Sequence, residues 1–189
     1  MPKVKIDTNA CLYPMPMTLI GAIVENRPNF LAAAWVARVN FQPPMIGVAL
    51  GKRHYTNGGI EENKAFSVNI PGRDLLEKAD YCGIVTGKTV DKSKLFNVFY
   101  GELSKAPMIR ECPLCLECRL VQAVDLPVDT FFIGEIVSAY AEDAALTNGQ
   151  PDIKKMDAFT LTMPDNFYWS VGEKVGQAWS AGKSLKSKG

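Results

Sequence analysis

The feature that most constrains this chain is a series of short apolar runs, rich in β-forming residues and closed by turn residues. Three of them are Thr18–Val24, Met45–Leu50 and Ala65–Ile70. Runs of about four to eight such residues, bounded by Pro, Gly or Asn, predict strands. Because they recur at short intervals and outnumber the helical segments, we predict a mainly β fold, a barrel with small helical insertions.

The run Phe30–Val39 is ambiguous, because its alanines also suit a helix. A turn predicted at Glu25–Asn29 and the proline-bearing segment Phe41–Pro44 leave room for a hairpin, so we predict a strand. Further strands are predicted at Leu114–Asp125, Thr130–Ala141, Ala158–Thr162 and Phe167–Val171.

Helices are predicted in two places. A polar loop leads into a short helix over Ile60–Lys64, with Thr56 or Asn57 as its N-cap. A second helix begins at Asp74, where the apolar residues are spaced to form one stripe. We expect the polar end of the chain, residues 184–189, to be frayed.

Length, charge and cysteine usage narrow the functional classes. A chain of 189 residues supports one core, so we expect a single domain over residues 1–189. The formal net charge of +1 provides no bulk attraction to nucleic acid or to an anionic membrane. The N-terminus lacks the apolar run of a signal peptide, no run is long enough to span a membrane, and an odd number of cysteines, five, fits no secreted disulfide framework. We therefore expect a cytoplasmic protein.

Four stretches in a fixed order carry a family signature. They are Asn29–Val36, Pro43–Leu50 followed by Lys52–Thr56, Ala65–Pro71, and Thr86–Lys92 with Phe132–Ile136 further on. Together they resemble the flavin reductase-like FMN-binding split-barrel family, and within it the flavoredoxins and archaeal ferric reductases.

The resemblance implies both a fold and a function. The fold is an antiparallel, Greek-key split β-barrel with short helices, and the family's members are homodimers that bind FMN near the subunit interface. They reduce flavin, ferric complexes or partner proteins, often with NAD(P)H as donor. We therefore expect an FMN-binding electron-transfer flavoprotein, either flavoredoxin-like or an NAD(P)H-dependent flavin or ferric reductase.

Two alternatives differ in the role of the flavin. The chain could be a non-enzymatic FMN carrier that exchanges electrons with protein partners, or a flavin-free split barrel that binds haem or serves as a structural dimer. No Gly-x-Gly-x-x-Gly fingerprint is present, so a nicotinamide would have to stack directly on the flavin. Since hydride transfer to a flavin requires no acid–base residue, no catalytic residue is predicted.

The loop Lys52–Gly59 suits the phosphate of FMN. It provides cations, hydroxyls and the free N–H groups of a helix N-terminus, and such N–H groups attract phosphate. Its glycines would let the backbone approach closely. The ordinary alternative is a solvated turn with a helix cap. The candidate phosphate ligands are Lys52, Arg53, Tyr55, Thr56 and Asn57.

The resemblance places the flavin ring beside Asn29 and Trp35. Asn29 would hydrogen-bond the ring edge, and Trp35 would offer a flat apolar surface. The alternative is a turn asparagine and a core tryptophan. The backbone of Ala33, Ala34, Trp35 and Val36 would meet the ring edge, and Leu50 completes the implied set.

Three further residues bear on the charge around the flavin. The resemblance implies that Lys92 contacts the flavin near N1–C2=O, where a cation would stabilise the reduced anion; the alternative is a solvent-facing lysine. Asp129 stands where related flavoredoxins often carry histidine, and an acid near the ring would oppose negative charge on reduced flavin. His54, the only histidine, is either a phosphate ligand or a surface residue.

Cys112, Cys115 and Cys118 have a spacing found among iron–sulfur ligands. A complete site needs a fourth ligand, and no cysteine follows. In a strand, residues 112 and 118 would share one face and residue 115 would lie on the other. We therefore expect structural thiols and no metal, with a redox-active dithiol that exchanges electrons with the flavin as the alternative.

Overall fold

The computed structural model describes residues 1–183 and 185. The predicted frayed tail, apart from residue 185, lies outside the described residues. The strands are β1 (Met15–Pro16), β2 (Thr18–Val24), β3 (Arg27–Ala33), β4 (Val36–Asn40), β5 (Met45–Gly51), β6 (Ala65–Ile70), β7 (Val98–Phe99), β8 (Met108–Ile109), β9 (Leu114–Asp125), β10 (Asp129–Ala141), β11 (Leu146–Thr147), β12 (Gln150–Pro151), β13 (Phe159–Thr162) and β14 (Phe167–Ser170). The helices are α1 (Tyr55–Asn63), α2 (Leu76–Ile84) and α3 (Ile153–Met156), with 3₁₀ turns at Arg73–Leu75, Lys92–Leu95 and Asp143–Ala145.

One large antiparallel sheet dominates the molecule. Its seven strands have the order β3-β2-β6-β9-β10-β5-β4. The two edge strands, β3 and β4, follow each other in the chain and are joined by Ala34 and Trp35. The sheet therefore curls into a barrel whose split lies between β3 and β4, which confirms the predicted mainly β, antiparallel split barrel.

The predicted strand over residues 30–39 is interrupted, and the turn before it is shorter than expected. Glu25 and Asn26 have φ values of 49° and 61°, the left-handed conformation of a tight two-residue hairpin turn. Strand β3 therefore begins at Arg27, and Asn29 lies in the strand rather than in the turn. It ends at Ala33, because the chain must cross from one edge of the sheet to the other before β4 begins.

Two apolar clusters fill the fold. The barrel interior holds Ile20, Val48, Phe66 and Phe132, each on the inward-facing side of its own strand. The second cluster lies under α2, where Ala79 and Cys82 pack with Phe30 and Met108. None of the helices among residues 1–183 and 185 is long and apolar enough to cross a bilayer.

Helix α1 begins five residues earlier than predicted. Its N-cap is His54, whereas Thr56 and Asn57 lie buried in the first turn. Neither side chain caps the helix because both have other partners: Thr56 Oγ1 accepts from Asn29 Nδ2 at 2.8 Å, and Asn57 Nδ2 donates to the Gly51 carbonyl at 3.1 Å.

Cys115 and Cys118 lie on opposite sides of the sheet as expected, but the prediction that Cys112 shares the face of Cys118 is wrong. Cys112 lies in the bend before β9 begins and packs with Cys115 in the cluster under α2, whereas Cys118 lies in the barrel interior. Burial raises the pKa of all three thiols, that of Cys115 to about 12. Among the described residues, no group of three or more His, Cys, Asp or Glu side chains could hold a metal ion.

Candidate functional site

A polar cavity of about 160 Å³ lies where four chain segments meet. Strand β3 contributes Asn29 and Leu31, and the segment that leads into α1 contributes residues 53–56. The end of α2 and the loop after it contribute residues 83–87, and the next 3₁₀ turn contributes Lys92. The cavity therefore unites Asn29, Arg53, Tyr55, Thr56 and Lys92, five of the predicted cofactor-binding residues.

The N-terminus of α1 is open toward an anion. Its N-cap residue, His54, makes no side-chain bond to the first turn, and that turn contains no acidic residue. Because His54, Tyr55 and Thr56 also line the cavity, the positive end of the helix dipole is at the cavity wall.

Asn29 and Thr56 form the buried polar floor of this cavity through their mutual hydrogen bond. The opposite wall approaches them closely at Gly87. A Cβ atom there would overlap Asn29 Oδ1 and would lie 2.8 Å from Tyr55 Cδ1. Only glycine fits this position, so Gly87 allows the loop after α2 to close the cavity.

Lys92 is a buried cation at this cavity. Its side chain is only 2% exposed, and its Nζ donates to the carbonyls of Cys82 and Val85 at 2.9 and 3.0 Å. No carboxylate within residues 1–183 and 185 forms a salt bridge with it. Burial lowers the pKa of Lys92, and the charge of Cys82 acts in the opposite direction. The alternative of a solvent-facing lysine is therefore wrong.

His54 lies exposed at the mouth of the cavity, where the charges around it shift its pKa. Partial burial lowers the pKa of His54, the charge of Lys92 lowers it further, and Asp129 raises it. The His54 imidazole lies close to Gly51. A Cβ atom added to Gly51 would be 3.4 Å from His54 Nε2 and 3.7 Å from Asp129 Oδ1.

We expect Lys92→Met to raise the pKa of His54, since the substitution removes a nearby positive charge that disfavours the imidazolium. The chain has one histidine, so a single NMR resonance followed through a pH titration reports this value. Lys88→Met, which changes an exposed lysine of the same loop, is expected to have a smaller effect. Equal shifts in the two variants would contradict the placement of Lys92 beside the cavity.

A second, mainly apolar cavity of about 490 Å³ contains Trp35. Trp35 is 49% exposed, so the alternative of a core tryptophan is wrong. Ala34 and Trp35 lie between β3 and β4, outside both ladders, and the Trp35 carbonyl accepts from Ala49 N–H at 3.0 Å. The cavity is further lined by Val36, Ala37, Gly47, Ala49, Phe131 and residues 8–12 and 14–16 of the N-terminal segment.

The chain from Leu31 in β3 to Ala34, just after that strand, connects the two cavities. Leu31 lines the polar one and Ala34 the apolar one. Three residues of extended chain span about 10 Å. The arrangement therefore suits an elongated ligand with an anionic end and a flat apolar end.

Five predicted site residues line neither cavity. Lys52 pairs with Asp125 at 2.7 Å on the surface, so of the two neighbouring cations only Arg53 lines the cavity. The side chain of Leu50 lies in the barrel interior. The remaining three are Ala33, Asn57 and Asp129.

Ala33, Asn57 and Asp129 lie outside the cavities, in or next to the segments that line them. The carbonyl of Ala33 accepts from Thr18 Oγ1 at 2.7 Å. Asn57 holds the loop closed through Gly51, and its Oδ1 is buried with no hydrogen-bond partner among the described residues. Asp129 lies opposite Gly51 in the ladder between β10 and β5.

Sequence reasoning missed two parts of the site. The wall at residues 83–87 could have been suspected from Gly87, which stands in one of the matched stretches. The N-terminal segment over Trp35 carries no periodic pattern, so nothing in the sequence pointed to it.

Comparison with known proteins decides the family. The model of the flavin reductase like domain matches residues 10–158, most of the chain. The chain belongs to the flavin reductase-like family. The match begins within the N-terminal segment that covers Trp35 and includes every residue of the polar cavity.

Two solved structures and one further protein are closely similar to this chain. Flavoredoxin from Methanosarcina acetivorans is 56% identical, with a TM-score of 0.96 over 98% of this chain and 100% of that one. Flavoredoxin of Desulfovibrio vulgaris is 37% identical, with a TM-score of 0.89 over 97% of this chain and 100% of that one. An uncharacterised protein of Archaeoglobus fulgidus is 34% identical over 86% of this chain and 92% of its own length.

Proposed function

We propose that this protein is an FMN-binding electron-transfer flavoprotein whose polar cavity takes the flavin phosphate. The observation that carries the proposal is Lys92, a buried ammonium group with no carboxylate partner among the described residues, at a cavity shared with Arg53. Burying an unpaired charge is costly, so such a site favours an anion that completes the pair.

The donor set fits a phosphate ester. Arg53 and Lys92 provide charge, Thr56 provides a hydroxyl, and the first turn of α1 provides N–H groups. Asp91 orients the lysine from the outside, because its carboxylate accepts from Ser93 N–H and thereby caps the 3₁₀ turn that begins at Lys92. We infer that Lys92 acts on the phosphate end of the flavin rather than on the ring edge.

The apolar cavity suits the flavin ring. Trp35 offers a flat surface, and the backbone between β3 and β4 provides polar groups outside the sheet ladders. Bound FMN would supply reversible one- and two-electron chemistry. The chain's own residues would position it, cover it with the N-terminal segment and exclude water from one side.

The proposal includes a homodimer that uses NAD(P)H as electron donor in the cytoplasm. Exposed aromatic side chains support an interface, among them Trp35, Phe41 and Trp169, since large apolar residues at a surface favour association. All five cysteines are free thiols, which supports a reducing compartment. Light scattering on the purified protein tests the dimer: a single monomeric species would contradict it.

The visible spectrum of the purified protein, reconstituted with FMN and read under nitrogen, tests the function. We expect flavin absorbance to stay with the protein and to bleach after addition of NADH or NADPH. Retained flavin without bleaching would indicate a carrier that takes electrons only from proteins. Failure to retain added FMN would contradict the proposal and favour a flavin-free split barrel.

We expect Thr56→Val to weaken FMN binding by about 10- to 100-fold, the effect of losing one hydrogen bond to a charged group. Fluorescence titration with FMN measures the change. The matched control is Thr160→Val, because Thr160 lines neither cavity and makes only a long bond, 3.3 Å, to the Trp169 carbonyl. Equal FMN affinities for the two variants would show that Thr56 does not bind the phosphate.

A further inference from the structure

A third cavity, of about 350 Å³, shares no lining residue with the two cavities of the proposed flavin site. Arg110 and Glu142 are exposed at its rim, so it opens to solvent. Cys112 and Cys115 form part of its wall. Two cysteines, both nearly fully buried, therefore line one space that is open to solvent.

The turn before β9 brings Cys112 and Cys115 to the same backbone carbonyl. Cys112 N–H donates to the Ile109 carbonyl at 3.2 Å, and the Cys115 thiol donates to the same carbonyl at 3.3 Å. Cys115 Sγ also lies 3.8 Å from the carbonyl oxygen of Cys112. The Cys112 thiol has no hydrogen-bond partner among residues 1–183 and 185. It is therefore less constrained by hydrogen bonds than the Cys115 thiol.

The rim of the cavity carries one guanidinium, that of Arg110, and one carboxylate, that of Glu142. The Arg110 guanidinium lies over the Phe99 ring, 5.2 Å from its centroid, and both residues line the cavity. A guanidinium in this position can bind a carboxylate. Cys82 and Cys118 are equally buried but line none of the cavities described above, which sets the other pair apart.

We propose that Cys112 and Cys115 are a dithiol site, oxidised to an intramolecular disulfide by a small, carboxylate-bearing disulfide that enters this cavity. The Cys112 thiolate attacks one sulfur of the oxidant, forms a mixed disulfide and releases one thiol. Cys115 then attacks the Cys112 sulfur and releases the second thiol. Two electrons pass from the pair to the oxidant, and the two thiol protons leave on the released thiols.

Burial and charge make this reaction strongly dependent on pH. Burial is the largest cause that raises the pKa of Cys112. The charges of Cys115, Glu111, Asp74 and Glu142 raise it further. Since the thiolate is the nucleophile, the rate is expected to rise about tenfold per pH unit below that pKa.

Peptide mapping of the reduced, full-length protein after incubation with oxidised glutathione at pH 7.5 and pH 9.0 tests the proposal. We expect a Cys112–Cys115 disulfide that forms faster at the higher pH, while Cys82 and Cys118 stay thiols. Free thiols at both positions at pH 9.0, under conditions that oxidise the urea-unfolded chain, would overturn the proposal. So would oxidation of Cys82 and Cys118 at the same rate.

Two variants sharpen the test, and the wild-type mapping stands even where a variant fails to fold. Cys115→Ser is expected to trap the glutathione adduct on Cys112. Arg110→Gln is expected to slow the reaction with oxidised glutathione by about three- to tenfold, but not the reaction with cystamine, which carries no carboxylate. Equal slowing with both oxidants would show that Arg110 does not recognise the carboxylate.

Discussion

Lys92→Met is expected to weaken FMN binding by about 100-fold or more, because it removes a buried charge paired with the ligand, an interaction worth about 3 kcal/mol or more. The stability of the flavin-free protein is expected to change far less, since an apolar side chain replaces a cation whose burial is itself costly. Fluorescence titration with FMN and urea unfolding of the flavin-free protein measure the two effects separately.

The matched control is Lys88→Met, an exposed lysine of the same loop. Its FMN affinity is expected to remain within about threefold of wild type, the scale of an exposed charge. If Lys92→Met and Lys88→Met bound FMN equally well, Lys92 would have no part in binding. If Lys92→Met unfolded the protein, its role would be structural.

Gly21→Ala is expected to lower the free energy of unfolding by about 3 kcal/mol or more, the upper range for overpacking a core. Gly21 is buried in β2, and a Cβ there would overlap the Pro107 carbonyl and Ser67 Oγ, which are hydrogen-bonded to each other. It would also lie 2.9 Å from the Phe30 ring. The backbone carbonyl cannot rotate away as a flexible side chain would. The midpoint of urea unfolding measures the loss.

Gly58→Ala is the control for this substitution. Gly58 is exposed within α1, and a Cβ there would meet no heavy atom within 4 Å. Alanine in a helix is more favourable than glycine by about 1 kcal/mol, so this variant is expected to be slightly more stable than wild type. Equal unfolding midpoints for Gly21→Ala and wild type would show that the packing around β2 is looser than the structure indicates.

The strands could be predicted from sequence where local pattern and packing agree. Thr18–Val24, Ala65–Ile70 and Leu114–Asp125 appear with the predicted bounds, because turn residues close them and their apolar residues fill the core. The break at Ala34 and Trp35 could not be predicted, since it arises where the chain crosses from one edge strand of the sheet to the other. The early start of α1 could not be predicted, because the side chains of Thr56 and Asn57 bond Asn29 and the Gly51 carbonyl instead of capping the helix.

The candidate site shows the same division. Which residue types could bind a phosphate was evident from the loop itself, but the choice between Lys52 and Arg53 depended on Asp125, which is distant in sequence. The burial of Lys92 depends on two carbonyls at the end of α2, and no local pattern reports such a contact. Long-range contacts therefore decide which of the candidate residues line the cavity, and the sequence alone does not show these contacts.

The central claim is that the polar cavity binds the phosphate of the flavin. Riboflavin differs from FMN only in lacking that phosphate, so the most direct measurement compares the dissociation constants of both flavins in wild type and in Lys92→Met. We expect wild type to prefer FMN by about 100-fold or more, and the variant to lose most of this preference while its riboflavin affinity stays nearly unchanged. Equal affinity of wild type for the two flavins, or a preference that survives in the variant, would contradict the claim.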